Sequence, residues 1–357
     1  MSRIQISAMF QAFLAAALFG ASAPIAKLLL EDIEPVLLAG LLYLGSGMGA
    51  VLLRGFQTWS TKQNQSMTEA RLKFEDLPWL GGALLCGSVA APIILFYSLR
   101  VTPAATIALL LNFEGVATTL IAALIFREAI GGWVWASIGV ITVAGSFLSW
   151  DASGNWGFSG GAIGVMATCV LWGLDNNFTR NVSAKNPLDI VAIKGLGAGG
   201  ISLTLAVILG SPMPRWPVVG LTMLLGSLSY GLSIMLFILA LRNLGTARTS
   251  AIFSSAPFIG ALFSLAIFQE TPTLTFIVAF VLMGVGASLL LGEQHRHVHA
   301  HPVATHEHRH RHDDDHHNHV LAGHQSQEDH SHPHLHERLV HMHAHVPDIH
   351  HWHNHQE

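Results

Sequence analysis

Ten stretches of mostly apolar residues, each close to the roughly 20 residues a helix needs to cross the hydrocarbon core of a bilayer, run along the chain. Their approximate bounds are 8–29, 35–53, 77–99, 104–126, 131–149, 158–179, 188–209, 217–241, 248–268 and 273–292. Lipid offers no water to unpaired backbone N–H and C=O groups, so segments of this length satisfy themselves as helices. Charged residues make up only 11% of the chain, against about 25% in an ordinary soluble domain. The fold class that follows is an all-α membrane protein of ten transmembrane helices. Arg3 precedes the first run, and this run reads as a retained first helix. Cys86 and Cys169 both lie in apolar runs and read as small buried hydrophobes. No basic run is wide enough for nucleic acid.

The runs repeat. Residues 99–128 align without a gap to 241–270. Leu99-Arg100 matches Leu241-Arg242, Ala105 matches Ala247, Leu120 matches Leu262, Ile125-Phe126 matches Ile267-Phe268, and Glu128 matches Glu270. A second match pairs the first and sixth runs: Leu18-Phe19-Gly20 answers Leu171-Trp172-Gly173, and Lys27 falls on Arg180. The offsets are 142 and 153 residues, because the first half carries the long polar link 54–76. Two units result, 8–149 and 158–292, each of five spans. Five is odd, so the second unit enters the membrane inverted relative to the first. Inverted repeats belong to secondary transporters, with solute held near the midplane. Glycine pairs four apart (Gly45/Gly49, Gly160/Gly164, Gly195/Gly199) are the small faces that let membrane helices approach.

Positive charge orients the chain. With the N-terminus in the cytoplasm, inside loops hold Arg3, Arg54, Lys62, Arg71, Lys73, Arg127, Arg180, Lys185, Arg242 and Arg248, and outside loops hold Lys27, Arg100 and Arg215. Ten spans return the C-terminus to the cytoplasm, in a protein of the inner (plasma) membrane.

With these residues in view, the chain resembles the drug/metabolite transporter superfamily, specifically permeases with two EamA-type repeats. The likeness rests on Leu18-Phe19-Gly20 through Lys27, Leu171-Trp172-Gly173 through Arg180, Phe126-Arg127-Glu128, Phe268-Gln269-Glu270 and Leu111-Asn112-Phe113-Glu114, and it spans 8–292. It implies a ten-helix inner-membrane permease for small organic solutes, often moving them outward. Phe19 stands where a tryptophan is usual, and Asp175-Asn176-Asn177 is unusually polar.

A charge kept at mid-membrane costs about 2.5–3.5 kcal/mol on insertion scales and usually faces a cavity or a partner. Glu114, ten residues into the fourth span beside Asn112, reads either as a proton-coupling carboxylate or as a ligand for a substrate amine. Its bland alternative is a carboxyl hydrogen-bonded between helices. Asp175 and Asn176 either bind solute or cap a helix break, and Trp172 sits deep enough to line a cavity. Lys194 is positioned to pair with Glu114, with Asp175 or with an anionic solute. The substrate-pathway set is therefore Glu114, Asn112, Asp175, Asn176, Trp172 and Lys194. Lys27 and Arg180 end their spans and can snorkel to headgroups; Glu128 and Glu270 read as helix-end architecture. Pro24 and Pro257 free backbone carbonyls within matched spans. Trp133, Trp135, Trp150, Trp156 and Trp216 read as interfacial belts.

All 23 histidines lie between His295 and His355. This third segment, 293–357, has few large apolar residues and reads as a disordered cytoplasmic tail. Imidazoles at H-x-H spacing suit zinc, nickel, cobalt or copper. The metal-ligand candidates are His306, His308, His310, His312, His316, His317, His319, His330, His332, His334, His336, His341, His343 and His345.

The functional reading is a secondary transporter of a small solute, moving it outward, with a metal-binding tail and no cofactor required for the pathway. Its partners are the bilayer, the solute and divalent metal ions; a homodimer is compatible with it. The alternative is a divalent metal exporter, or a metal-regulated permease, whose tail collects the ion. Against that, the spans hold no histidine and few carboxylates for a ligand relay. The same lack of histidine removes H-E-x-x-H and Ser-His chemistry, so an enzyme is not expected.

Overall fold

A computed structural model describes residues 3–60, 72–126, 132–149, 159–182, 185–244, 249 and 252–291, with four strands beyond them by backbone alone. The helices are α1 (Arg3–Gly20), α2 (Ser22–Leu29), α3 (Pro35–Ser60), α4 (Leu77–Ala83), α5 (Ala91–Val101), α6 (Ala104–Leu110) and α7 (Phe113–Leu124). They continue as α8 (Gly132–Ser149), α9 (Gly160–Arg180), α10 (Pro187–Ile208), α11 (Trp216–Gly226), α12 (Ser233–Leu244), α13 (Ala256–Phe268) and α14 (Leu274–Leu291). Among the described residues six helical stretches are long and apolar enough to cross a membrane: Ile6–Leu29, Pro35–Phe56, Phe74–Val101, Ala104–Leu124, Pro187–Ile208 and Trp216–Ala240. Gly132–Leu148, Ala256–Phe268 and Leu274–Leu289 are shorter apolar helices. The chain is a multi-pass membrane protein.

Several expected spans are interrupted rather than continuous. The first breaks at Ala21, and Pro24 follows in the first turn of α2. Proline has no N–H to give the carbonyl four residues back, which is that of Gly20. The fourth breaks at Leu111-Asn112, where the Asn112 amide Nδ2, at 2.8 Å, joins the Asn112 backbone N–H in donating to the Leu109 carbonyl. Asn112 thus serves the helix break. The third and eighth spans each contain a π-helical turn, Leu84–Ala90 between α4 and α5 and Ser227–Leu232 between α11 and α12. The 142-residue offset carries 84–90 onto 226–232, so the two turns fall at matched positions. Caps fix the starts of the helices that follow the repeat boundary. Ser159 Oγ accepts from Ala162 N at the start of α9, and Asn186 Oδ1 accepts from Leu188 N at the start of α10, where Pro187 occupies the first turn.

The halves interlock. α3 packs along α10 and α8 along α14, each pair taking one helix from either half. α1 packs on α12 and α13, and α9 packs on α5 and α7. The first span of each half therefore rests on the third and fourth spans of the other. Glycines permit the closest crossings. A Cβ at Gly20 would lie 2.4 Å from the Ala256 carbonyl oxygen, and one at Gly260 would lie 2.6 Å from the Gly20 carbonyl oxygen. Gly173, the repeat partner of Gly20, meets Thr118 N, where a Cβ would lie at 2.9 Å. Thr118 in turn stands 142 residues before Gly260. Both crossings therefore join the same pair of sequence positions, once in each direction. Gly47 and Gly195 give a comparably close crossing between α3 and α10.

Polar links gather at the two ends of the bundle. At one end Arg100 pairs with Glu34 at 3.1 Å, Arg215 lies 3.7 Å from Asp32, and Lys27 Nζ donates to the Thr102 carbonyl at 2.6 Å, beside the Phe268 ring. At the other, Arg54 pairs with Asp189 and Lys185 lies 3.3 Å from Asp76. Glu34 precedes α3 and Arg54 lies within its last two turns, twenty residues or about 30 Å of helix away. The links before α4 and before α10 thus share one face of the bundle. Lys27, expected to snorkel, is instead tied to a neighbouring link. Trp133, Trp135 and Trp216 are exposed, as a belt requires; Trp150 and Trp156 lie outside the described residues, as does Glu128.

In the tail, four segments run as strands. β1 (His295–His301) pairs antiparallel with β4 (Leu339–His345), and β2 (Ala304–His310) with β3 (His330–His336). H-x-H has a period of two, the period of a strand, and a paired backbone needs no large apolar core to satisfy its own polar groups. His297 stands opposite His343, and His308 opposite His332. His312, His316, His317 and His319 lie outside the described residues.

At crossings this close, Gly20→Ala and Gly260→Ala each lower stability by about 1–3 kcal/mol, the usual cost of overpacking. Gly139→Ala, which meets nothing within 4 Å, leaves it unchanged. Denaturant titration in mixed micelles measures the difference.

Candidate functional site: an aromatic cavity and two polar pairs

Where the two halves cross, the matched Leu-aromatic-Gly motifs place Phe19 and Trp172 on one cavity, with Ser22, Leu111, Tyr230 and Pro257 among its other walls. The cavity leaves about 20 Å³ for the centres of water-sized molecules. That is room for a water or two and far short of the roughly 300 Å³ of a small-molecule site. In this conformation the cavity is contracted, and a solute enters only if the walls part.

Its walls are held by ring contacts and one unusual carbonyl. Tyr230 meets Phe19 edge-on at 5.8 Å between centroids, and lies 5.7 Å from Tyr43. Phe253 lies 5.6 Å from Phe19. In the first π-turn, the Ala91 N–H is taken by the Cys86 carbonyl, and residue 92, next in line for the Gly87 carbonyl, is a proline. The Gly87 carbonyl is therefore left to side chains. Trp172 Nε1 donates to it at 2.9 Å and the Tyr43 hydroxyl at 3.2 Å. Trp172 is buried and fixed in this orientation.

One turn along α9, Asp175 packs against the same glycine. A Cβ on Gly87 would fall 1.9 Å from Asp175 Oδ2, so no other residue fits there without displacing the carboxylate. Asp175 receives Lys194 Nζ on both oxygens, at 2.5 and 2.7 Å, and the Thr179 hydroxyl at 2.8 Å. The pair is largely shielded, with side-chain exposures of 12% and 16%. Of the partners open to Lys194 in the sequence, Asp175 is the one the structure selects.

Glu114 finds a different partner. Asn176 Nδ2 donates to Glu114 Oε1 at 2.9 Å and to Thr118 Oγ1 at 3.1 Å. Asn176 is four residues beyond Trp172 on α9, and Glu114 is three beyond Leu111, so both continue the cavity-facing sides of their helices. Glu114 is partly exposed and Asn176 exposed. Asn177 faces the crossing instead, donating to the Gly173 and Thr118 carbonyls.

Of the six expected pathway residues, Trp172 lines the cavity, Glu114 and Asn176 form a polar pair one turn away, and Asp175 and Lys194 form an ion pair behind Trp172. Asn112 lies at the helix break, its amide also 3.8 Å from Met283 Sδ. Sequence reasoning passes over Phe19, Ser22, Tyr43, Tyr230 and Gly87 as site residues. The 153-residue offset holds the signal for two of them, since it carries Phe19 onto Trp172 and Ser22 onto Asp175.

The sequence profile of the EamA-like transporter family matches the chain twice, over residues 6–150 and 159–292. An uncharacterized transporter of Methanothermobacter thermautotrophicus is 26% identical over 285 residues, which cover 76% of this chain and 82% of the relative. A solved crystal structure shares the fold, with a TM-score of 0.57 at 18% identity, covering 79% of this chain and 95% of that one.

Breaking a shielded ion pair from one side strands a charge, at a typical cost of about 3–5 kcal/mol, whereas removing both charges is far milder. Asp175→Asn and Lys194→Met should each destabilise strongly and the double variant should recover most of the loss. A double-mutant cycle of unfolding midpoints reads this, and additive losses would count against a direct pair.

Proposed function

The chain belongs to the EamA-like transporter family, and from that premise we propose an inner-membrane secondary transporter that moves a small organic solute outward by alternating access. Ten spans form two five-helix repeats of opposite orientation, with both termini in the cytoplasm. The observation that carries this reading is the reciprocal crossing: Gly20 on the ninth span and Gly173 on the fourth, with the matched rings of Phe19 and Trp172 meeting on one cavity. Two interlocked copies that can exchange roles offer two equivalent closures around a central solute. The separation of ion pairs to the two ends supports the same path of the chain, with the Arg54 and Lys185 end facing the cytoplasm by its excess of positive charge.

In this reading solute passes between Phe19 and Trp172 and meets Glu114 and Asn176 on the cytoplasmic side. Glu114 couples protonation to the movement. Lys194 and Asp175 brace Trp172 through Gly87. The histidine tail binds divalent zinc, nickel, cobalt or copper in the cytoplasm as a buffer or regulator. Transport of the metal itself is the weaker reading. The cavity walls carry no ligand for such an ion, and among the described residues no three His, Cys, Asp or Glu side chains cluster.

A growth screen of deletion and overexpression strains against amino acids, toxic metabolites and metals identifies the solute. With that solute in proteoliposomes, Glu114→Gln abolishes the response of transport to a pH gradient; an unchanged response removes Glu114 from coupling. Deleting residues 293–357 leaves basal transport intact and removes the zinc and nickel heats seen by calorimetry with the full chain. Loss of basal transport on that deletion would favour the metal reading.

A further inference from the structure

We propose that the solute is an amine, its ammonium group held by Glu114 and its apolar body by the aromatic cavity. This deepens the transporter reading and rests on it. The charges around the route decide the sign. Lys194 is spent on Asp175, which takes it on both oxygens. Lys27 is spent at the opposite end of the bundle on the Thr102 carbonyl. Arg180, one turn beyond Asn176, has an interaction of its own. Glu114 is held by a neutral donor, the Asn176 amide. The amide satisfies one lone pair of the carboxylate and adds no charge. When ionised, Glu114 therefore brings a negative charge to the route that this hydrogen bond does not cancel, at a place where Asn176 is exposed.

The cavity one turn away suits the rest of such a molecule. Phe19, Trp172 and Tyr230 are among its walls, and the lining carries no charged side chain. Aromatic faces attract cations and repel anions through their quadrupole. An organic anion entering here would meet the carboxylate of Glu114 and find Lys194 already engaged with Asp175. An ammonium meets Glu114 directly, with the Asn176 carboxamide oxygen beside it as a second acceptor.

The test uses three probes with one body and three charges: phenethylamine, 2-phenylethanol and phenylacetate. Binding to the purified full-length chain is read by isothermal titration and by thermal stabilisation. The amine should bind at least tenfold tighter than the alcohol, and phenylacetate should not bind. Glu114→Gln should weaken the amine at least tenfold, while Glu114→Asp, which keeps the charge, should retain most of the affinity and reports on folding. Equal or tighter binding of phenylacetate overturns the assignment, as does undiminished amine binding by Glu114→Gln, or no binding of the amine. Counterflow in proteoliposomes separates the two readings. Movement of phenylacetate independent of Glu114 sinks the amine and leaves a transporter; Glu114-dependent amine binding without movement keeps the site and sinks the transporter.

Discussion

Two backbones can approach within carbonyl contact only where no side chain stands between them, and in lipid such approaches are what hold helices together. Water gives helices in a bilayer no reason to hide apolar surface from it, so packing and close polar contact carry the association. In this chain two such crossings that join the halves involve Gly20 with Gly260 and Gly173 with Thr118. They fix the depth at which Phe19 and Trp172 sit, because each ring immediately precedes its glycine. The cavity, its aromatic walls and the polar groups one turn beyond all inherit their position from those two points.

The first π-turn extends this logic to the third span. Pro92 withholds an N–H, the Gly87 carbonyl turns to Trp172 and Tyr43, and the bare α-carbon of Gly87 admits the Asp175 carboxylate. A backbone irregularity, a ring and an ion pair are thereby joined. Movement of α9 relative to the third span must disturb all three together, which makes a two-state displacement more natural than a gradual one.

Much of this is legible in the order of the amino acids. The apolar runs locate the helices, and the matched Leu-Phe-Gly and Leu-Trp-Gly locate the crossings. Glu114, Asp175 and Lys194 stand out because charge is costly in lipid. What stays hidden depends on contacts across the bundle. Lys194 has two carboxylates within its reach by depth, and only the rotation of α9 chooses Asp175. The break at Leu111-Asn112 contains neither glycine nor proline, so nothing local announces it. Tyr43 and Tyr230 look like ordinary membrane aromatics until the Gly87 carbonyl and the Phe19 ring are placed beside them. In the tail, composition argues for disorder while the alternating histidines carry a strand period, and the two signals point opposite ways.

The paired π-turns put one surplus residue into each of two helices, at places that correspond between the halves. A widened turn frees a backbone carbonyl or re-aims a side chain without breaking the helix. The two turns use that freedom differently: Gly87 in the first offers its carbonyl to an indole, and Tyr230 in the second offers a ring. One widening thus yields an acceptor and the other a wall.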